Sequence, residues 1–392
     1  MDIRTDVLTT NKGWITLGDI QVGDKVYNST GNLTNVRNIS KSFIPQIAFE
    51  IQFNTGETFI CGPFHGWKTL TSNEVEKNLK RGPEWRAKRR EKRPSRAVPT
   101  PKRPNQSKAA MISNSLRTHN YLEKNIPKFR ELGEIQSTLY ARANRLNHIL
   151  EITPALQSED TELEIDPYSL GMFLGDGGAA STMLTMEIKD WHKIKNKIPY
   201  KVVYQKTQGK TANIYLTRLK GLRRDLQKVL TQHVQVSPSG RQTKIFDKFI
   251  PNSVFNAPFN QRLNLLKGLM DTDGTVAKEK GSCEVGFSNY ELAIGTLRLL
   301  SSLGIKSSIK EKKVQKGERH FRMVFMSEKS VFNLPRKKDL QRMTLKKEYS
   351  KRRYIKNIKP HQPVRMRYIE VKNPDEGILL GNTLIATKIY KS

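Results

Sequence analysis

The spacing of apolar residues divides this chain into blocks of different period. Over residues 1–70 the apolar positions come in short runs broken by Asn11-Lys12-Gly13, Val22-Gly23-Asp24, Thr30-Gly31-Asn32 and Asn54-Thr55-Gly56, and Ile47–Phe53 alternates apolar with polar. Period-two runs bounded by glycine and asparagine turns predict half-buried strands, so the chain opens as an all-β unit. Periodicity then nearly vanishes until Tyr121–Leu132. From Gln136 to Thr153, Leu139, Ala143, Leu146 and Leu150 recur at helical steps and predict an amphipathic helix. Beyond Asp166-Pro167 one plan runs twice. The first pass predicts a helix ending near Asp176, a strand at Thr182–Ile188, a hairpin at Val202–Thr217 turning near Gln208-Gly209-Lys210, and a helix at Leu219–Leu230. The second predicts a helix at Gln261–Asp273, strands around Val276 and at Glu284–Phe287, a helix at Tyr290–Leu303, and a hairpin at Ile305–Met326 turning at Lys316-Gly317. Residues 336–359 read as a basic helix with Tyr349 and Tyr354.

Each pass opens on a related stretch: Ser-Leu-Gly-Met-Phe-Leu-Gly-Asp-Gly at Ser169–Gly177, and Leu-Lys-Gly-Leu-Met-Asp-Thr-Asp-Gly at Leu266–Gly274. Residues i and i+4 share a helix face, so Gly171 with Gly175, and Gly268 with Thr272, form small-residue stripes on which a partner backbone can approach closely. Glycine inside a helix costs about 0.5–1 kcal/mol relative to alanine, and close approach of two such helices offsets that loss. Packed as a pair, they bring Asp176 and Asp273 side by side. Helix C-termini carry partial negative charge and disfavour acids, so two carboxylates there call for a hard cation with oxygen ligands, Mg²⁺ before Ca²⁺. Gly177 and Gly274 stand where a glycine ends a helix in the left-handed conformation. The plain structural alternative is two buried helices whose aspartates cap a turn. Repetition of the same offsets 97 residues apart favours the duplicated site.

Charge narrows the partner. The chain has 392 residues, with 69 Lys and Arg against 37 Asp and Glu, a formal charge of +32 and a pI near 10.1. Such an excess is the footprint of a polyanion partner. No apolar run is long enough to span a bilayer, which argues against a membrane role. The first residues, Met1 to Thr5, lack the features of a signal peptide. Only Cys61 and Cys283 are present, too few for a disulfide framework or a cysteine zinc site. These features lead us to expect an intracellular protein of the cytoplasm or nucleoid, with a phage-encoded protein in a bacterial host as one such setting. Within residues 76–135, Arg86, Lys88, Arg89, Arg90, Lys92 and Arg93 stand among Pro83, Pro94, Pro99, Pro101 and Pro104. Such a segment reads as an arm that follows DNA phosphate, contributing affinity but little sequence information.

Leu266–Gly274 resembles the second LAGLIDADG (dodecapeptide) motif of homing endonucleases, and Ser169–Gly177 the first motif in its intein-type form. That family implies an α+β architecture, a pseudo-twofold pair of αββαββα subdomains that act on double-stranded DNA as a monomer, with no small-molecule substrate. It implies Asp176 and Asp273, with Gly175 and Thr272 beside them, as the metal site for two or three Mg²⁺ ions that Mn²⁺ can replace. Gly171, Gly175 and Gly268 become the helix interface, and Asp271, earlier in the motif, a lesser ligand. Lys248-Phe249-Ile250-Pro251 resembles the block carrying a catalytic lysine, here Lys248. A second lysine is expected from Lys337-Lys338; Lys338 is assigned the catalytic place, and Lys337, Arg352 and Arg353 are assigned DNA-backbone contacts.

Gly13–Val26 resembles the opening block of inteins, the Hint fold; Gly62-Pro63-Phe64-His65 falls where that family has Thr-x-x-His; Tyr368–Asp375 and Gly381–Thr387 resemble its closing blocks. Several splicing residues differ. Met1 stands where a nucleophilic Cys or Ser is needed, Gly62 replaces the threonine, Glu376 the penultimate-block histidine, and Lys388-Ile389 the terminal His-Asn. His65 is thereby read as vestigial, on a β scaffold that no longer splices. The expected units are 1–75 and 363–392 as two parts of the Hint-like domain, 76–135 the arm, 136–257 and 258–335 the two nuclease subdomains, and 336–362 a basic linker. The whole reads as a free-standing, intein-derived, Mg²⁺-dependent DNA endonuclease making a double-strand break at a long site. A non-cleaving DNA-binding regulator, an RNA maturase and an active intein are the rivals.

Overall fold

The computed structural model describes residues 1–81, 125–158, 163–178, 182–217, 222–228, 230–236, 242–313, 319–343 and 351–389. The basic arm positions Arg86, Lys88, Arg89, Arg90, Lys92 and Arg93 lie outside the described residues, as does Tyr349.

Antiparallel strands from both ends of the chain, and from its middle, build the β unit. A five-stranded sheet runs Gly13–Thr16, Asp6–Thr9, Lys25–Tyr27, Leu33–Ile39 and Ile369–Val371. A larger sheet runs Ile378–Leu380, Ile385–Ile389, His65–Thr71, His148–Glu151, Arg352–His361, Ala48–Phe53 and Thr58–Cys61, with Lys128–Glu131 also paired to His65–Thr71. Ile369 pairs with Ile39, and Thr387 with Trp67, so the two ends of the chain meet in shared hydrogen-bond ladders, as their sequence blocks led us to expect. The core beneath holds Val7, Leu17, Ile51, Phe53, Trp67, Ile355 and Leu380.

Two helical expectations fail here. Residues 136–153 are not one helix: the end of a short helix, Leu132–Ser137, gives way to strands Tyr140–Ala141, Arg145–Leu146 and His148–Glu151. Ile149 and Leu150 instead sit on opposite faces of a sheet strand, Ile149 paired with Leu70 and Tyr354. Likewise residues 352–361 form a strand rather than a basic helix, pairing with both His148–Glu151 and Ala48–Phe53. Both segments owe their form to strands far away in sequence, which a local period cannot register.

The helices are α1 (Ser72–Arg81), α2 (Leu132–Ser137), α3 (Pro167–Asp176), α4 (Ile188–Ile194), α5 (Leu222–Gln227), α6 (Phe259–Thr272), α7 (Tyr290–Ser302) and α8 (Pro335–Lys338). The two halves of the nuclease-like unit share one plan. In the first, α3 is followed by strand Met183–Glu187, α4, and the hairpin Lys201–Gln208/Thr211–Thr217, with sheet order Met183–Glu187, Thr211–Thr217, Lys201–Gln208. In the second, α6 is followed by Thr275–Val276, Cys283–Phe287, α7, and the hairpin Ile309–Lys313/Arg319–Phe325, in the matching order. The first half adds a hairpin, Leu230–Val236/Gln242–Lys248, and α5 ends at Gln227, short of the Leu230 expected, while residues 218–221 lie outside the described residues. Along Arg319–Phe325 the residues Phe321, Met323 and Phe325 are buried while Arg322 and Val324 face out, so the sheet has one apolar and one solvent face.

A single apolar core spans both halves and reaches into the β unit through Leu8, Tyr27, Leu379 and Leu384. At that junction the Trp14 ring meets Phe255 edge-on at 5.8 Å, and the Arg298 guanidinium lies over Trp14 at 4.5 Å. Arg298 also donates to Asn382 Oδ1 at 2.7 Å and pairs with Asp6 at 3.4 Å. Three partners from three segments of the β unit thus converge on one α7 side chain. Arg298→Ala removes charged hydrogen bonds and a cation–π contact, each about 0.5–3 kcal/mol. The expected result is a lower urea midpoint for the whole chain, and an unchanged midpoint would show that the junction contributes nothing.

Candidate active site

The site begins with how its two central helices start. Asp166 caps α3 by accepting from Ser169 N at 2.8 Å, with Pro167 in the first turn, where its missing N–H is harmless. In the first turn of α6 the fully buried Arg262 donates to the carbonyls of Ala257, Ser302 and Leu156, fixing α6 to the end of α7 and to the incoming chain.

The helices then pack backbone to backbone. A Cβ on Gly171 would overlap the Leu265 carbonyl and lie 2.8 Å from Leu269 N; one on Gly268 would overlap the Tyr168 carbonyl and lie 2.8 Å from Met172 N. The reciprocity of these contacts is the pseudo-dyad seen at atomic scale. A Cβ on Gly175 would overlap the Thr272 hydroxyl and lie 2.5 Å from Asp273 Oδ2, so the Asp273 carboxylate rests against the residue preceding Asp176. Gly177 and Gly274 are not left-handed: Gly177 has φ −75°, and Gly274 is not among the positive-φ glycines. They are needed for another reason, because a side chain on either would run into the backbone of Phe173 or Met270 one turn earlier.

Electrostatics at the shared end follow from that packing. Burial raises the Asp273 carboxyl to about 6, and the nearby Asp176 charge adds to the rise, against the pull of Lys248 and Lys337. Asp176 is raised too, first by the protein packed around it, although its side chain keeps an open face to solvent. Lys248 Nζ donates to the Gly175 carbonyl at 2.8 Å and is lowered by burial. Lys337 Nζ donates to the carbonyls of Met270 (3.0 Å), Asp271 (2.7 Å) and Thr272 (3.2 Å), and burial brings it down to about 8. Each helix C-terminus thus receives one ammonium group, the charge its dipole favours.

This geometry bears on three of the expected assignments. Lys338 is exposed, and its neighbour Lys337 is the buried counterpart of Lys248. In a four-residue helix the two point in different directions, and adjacency alone could not separate them. Lys337, expected as a DNA-backbone contact, is 7% exposed and turned into the end of α6. Arg353, expected as a DNA-backbone contact, is 1% exposed and lies 3.6 Å from Glu57 inside the β unit; Arg352 is half-buried in the same strand.

Asp271 is fully engaged, accepting from Tyr168 Oη (2.8 Å) and from the amides of Asn333 (3.0 Å) and Leu334 (3.0 Å). Its task is to hold the segment leading into α8, which the motif itself did not reveal. His65 is 3% exposed, stacks against Trp67 at 5.1 Å, and neither ring nitrogen has a partner among the described residues. Gly62 offers it only a backbone carbonyl, which accepts from His65 N at 3.3 Å. Glu376 accepts instead from Asn28.

The donor set at the helix ends consists of two carboxylates, with the carbonyls of Gly175 and Thr272 close by, all hard oxygens. It fits a divalent ion of the Mg²⁺ kind, which takes one or two carboxylates and completes its shell with water and phosphate. Among the described residues no group of three or more His, Cys, Asp or Glu side chains is gathered as a metal cage, and no helix is long and apolar enough to cross a membrane.

Comparison with known proteins gives this arrangement a lineage. Residues 260–359 match the model of the LAGLIDADG-like domain. Over 388 residues the chain is 26% identical to a protein named replicative DNA helicase DnaB from Mycobacterium intracellulare, covering 97% of this chain and 57% of that protein. Among solved structures it is similar to the MchDnaB-1 intein, at 28% identity over 18% of this chain and 53% of the other, with a TM-score of 0.17. It is also similar to I-DmoI in complex with DNA and Mn, at 14% identity over 41% of this chain and 88% of the other, with a TM-score of 0.28. Residues 260–359 thus carry a LAGLIDADG-like domain, and the chain is similar to intein-associated LAGLIDADG homing endonucleases.

Proposed function

We propose that the chain is a site-specific endonuclease that cuts both strands of duplex DNA by metal-assisted hydrolysis. The observation that carries this reading is the pair of raised carboxyls, Asp176 and Asp273, at the ends of two helices packed through Gly171 and Gly268, with one buried lysine at each end. Mg²⁺ would be held by Asp176 and Asp273, with the carbonyls of Gly175 and Thr272 nearby, and when bound supplies a Lewis acid and an activated water. Asp273 and Asp176 share the ion load and lose their mutual repulsion. Lys248 and Lys337 place positive charge where the pentavalent phosphate would develop negative charge. The polar sheet face, carrying Lys310, Lys312 and Arg322, would lie against the duplex, and the arm with Arg86 to Arg93 would follow its backbone.

The β unit is read as a scaffold that does not splice. Gly62 gives His65 no side-chain partner, and Glu376 stands where the intein pattern has a histidine. In the division we favour, residues 125–158 and 351–389 join residues 1–81 in the β unit, because their strands complete its sheets.

The test is to incubate the full chain with a plasmid library carrying randomised inserts, with Mg²⁺ or with chelator, and to sequence new DNA ends. Double-strand cuts at one sequence family, dependent on Mg²⁺, are expected. Lys337→Met should slow cutting on the order of 10²-fold, and Lys338→Met should leave it within a few fold. Metal-independent binding with no cuts would favour a regulator instead.

A further inference from the structure

The two lysines are anchored to the helix ends of their own halves, and each is also braced by a residue of the opposite half. Lys248 closes strand Gln242–Lys248 of the first half. Its carbonyl, and Oδ1 of the preceding Asp247, each accept from Nδ2 of Asn289 at 3.2 Å. Asn289 is the N-cap of α7 in the second half, and its own Oδ1 accepts from Leu292 N at 3.0 Å, so its side chain is fixed at both ends.

The second lysine has the mirror arrangement. Arg336 immediately precedes Lys337 in α8, and its Nε donates to Asp190 Oδ1 at 2.8 Å and Oδ2 at 3.1 Å, with Nη2 adding a further bond. Asp190 lies in the first turn of α4, in the first half, and is buried. α4 and α7 are equivalent elements, since each follows the first long strand after its motif helix. So the N-terminal end of the same helix, taken from the opposite half, grips the residue before each lysine. The chemistry is reversed: an amide donates to an aspartate at one centre, and an aspartate accepts from an arginine at the other. Ordinary surface pairs here, such as Arg322 with Glu284 or Arg319 with Glu311, stay within one sheet and lie away from the lysines.

We propose that Asn289 and Asp190 are positioning residues, each setting the lysine of the opposite half, so that each centre is complete only when the two halves are docked. This rests on the nuclease reading, and it adds that the two strand cuts can be impaired one at a time. Misplacing a catalytic group by about 1 Å can cost on the order of 10²-fold in rate. Removing either brace should reproduce that loss at one centre only.

The test has two independent readouts on the full chain carrying Asp190→Ala or Asn289→Ala, with Asp190→Glu as the conservative rescue and Glu311→Ala as a control. Lysine acylation at one fixed pH, read residue by residue by mass spectrometry, is expected to speed up several-fold at Lys337 in Asp190→Ala and at Lys248 in Asn289→Ala. The other lysine should be unchanged, with exposed Lys338 as internal standard. Supercoiled plasmid carrying a selected site, with Mg²⁺, should accumulate nicked circles with the nick on opposite strands in the two variants, while Asp190→Glu regains double-strand cutting and Glu311→Ala keeps it. Equal protection of both lysines in all variants, or equal slowing of both strands, overturns the proposal. If the parent protein cuts nothing, the nuclease reading fails by itself, and the acylation pattern still decides whether the braces hold the lysines.

Discussion

Asp273→Asn should bind DNA as the parent does and cut it on the order of 10³-fold more slowly or worse, because one of two metal-holding carboxylates is gone. The same substitution should make the metal-free protein more stable near pH 7. Burial and Asp176 raise the Asp273 carboxyl from 3.8 to about 6 in the folded chain, so the folded state holds the proton more tightly than the unfolded one. The stability linked to that proton is fully present below about pH 4 and is lost as pH rises through about 6. At pH 7 the parent therefore carries a penalty that asparagine lacks, on the order of 1–2 kcal/mol once partial exposure is allowed for. Urea unfolding in chelator at pH 7 and pH 4 should show the gain only at the higher pH, and Mg²⁺ should stabilise the parent more than the variant. Undiminished cutting would remove Asp273 from the chemistry, and a stability gain equal at both pH values would remove the electrostatic account.

Gly268→Val should be the most damaging single change to the fold. The new Cβ would collide with the Tyr168 carbonyl and approach Met172 N and the Gly171 carbonyl carbon, all backbone atoms of a packed helix that cannot swing aside. Overpacking of this kind costs roughly 3 kcal/mol or more, enough to separate the helices that bring the acids together. Gly133 in α2 is the matched control, since a Cβ there meets nothing within 4 Å. Gly133→Ala should be neutral or slightly stabilising, by up to about 1 kcal/mol. Thermal unfolding of both variants decides the matter, and a Gly268→Val protein melting with the parent would show that the helices can part without loss.

Much of this was readable before any coordinates. The offsets from Gly171 to Asp176 and from Gly268 to Asp273 named the helix pair and the acids at its end, because a helix maps sequence spacing directly onto one face. The hairpins expected over Val202–Thr217 and Ile305–Met326 were equally local, and their ladders bear them out, while the turn expected at Lys316-Gly317 lies outside the described residues. Leu139, Ala143, Leu146 and Leu150 misled for the opposite reason. Leu146 and Leu150 fall in separate short strands, where Leu146 pairs with Tyr140 and Leu150 with Arg353, partners that a local period does not register. Arg353 reads locally as a surface cation, but pairing with Leu150 in the sheet and the nearby Glu57 place it inside.

Lys337 and Lys338 mark the dividing line. Local spacing names the helices, the glycine stripes and the two acids, because those follow from a period of 3.6 residues and need no partner to be seen. Which of two adjacent lysines enters the site depends on Asp271 holding Asn333 and Leu334, and on Asp190 holding Arg336, contacts that span 62 to 146 residues of chain. Through-space neighbours of that kind leave no periodic trace, so burial, protonation and the choice of lysine arise only when the two halves pack together.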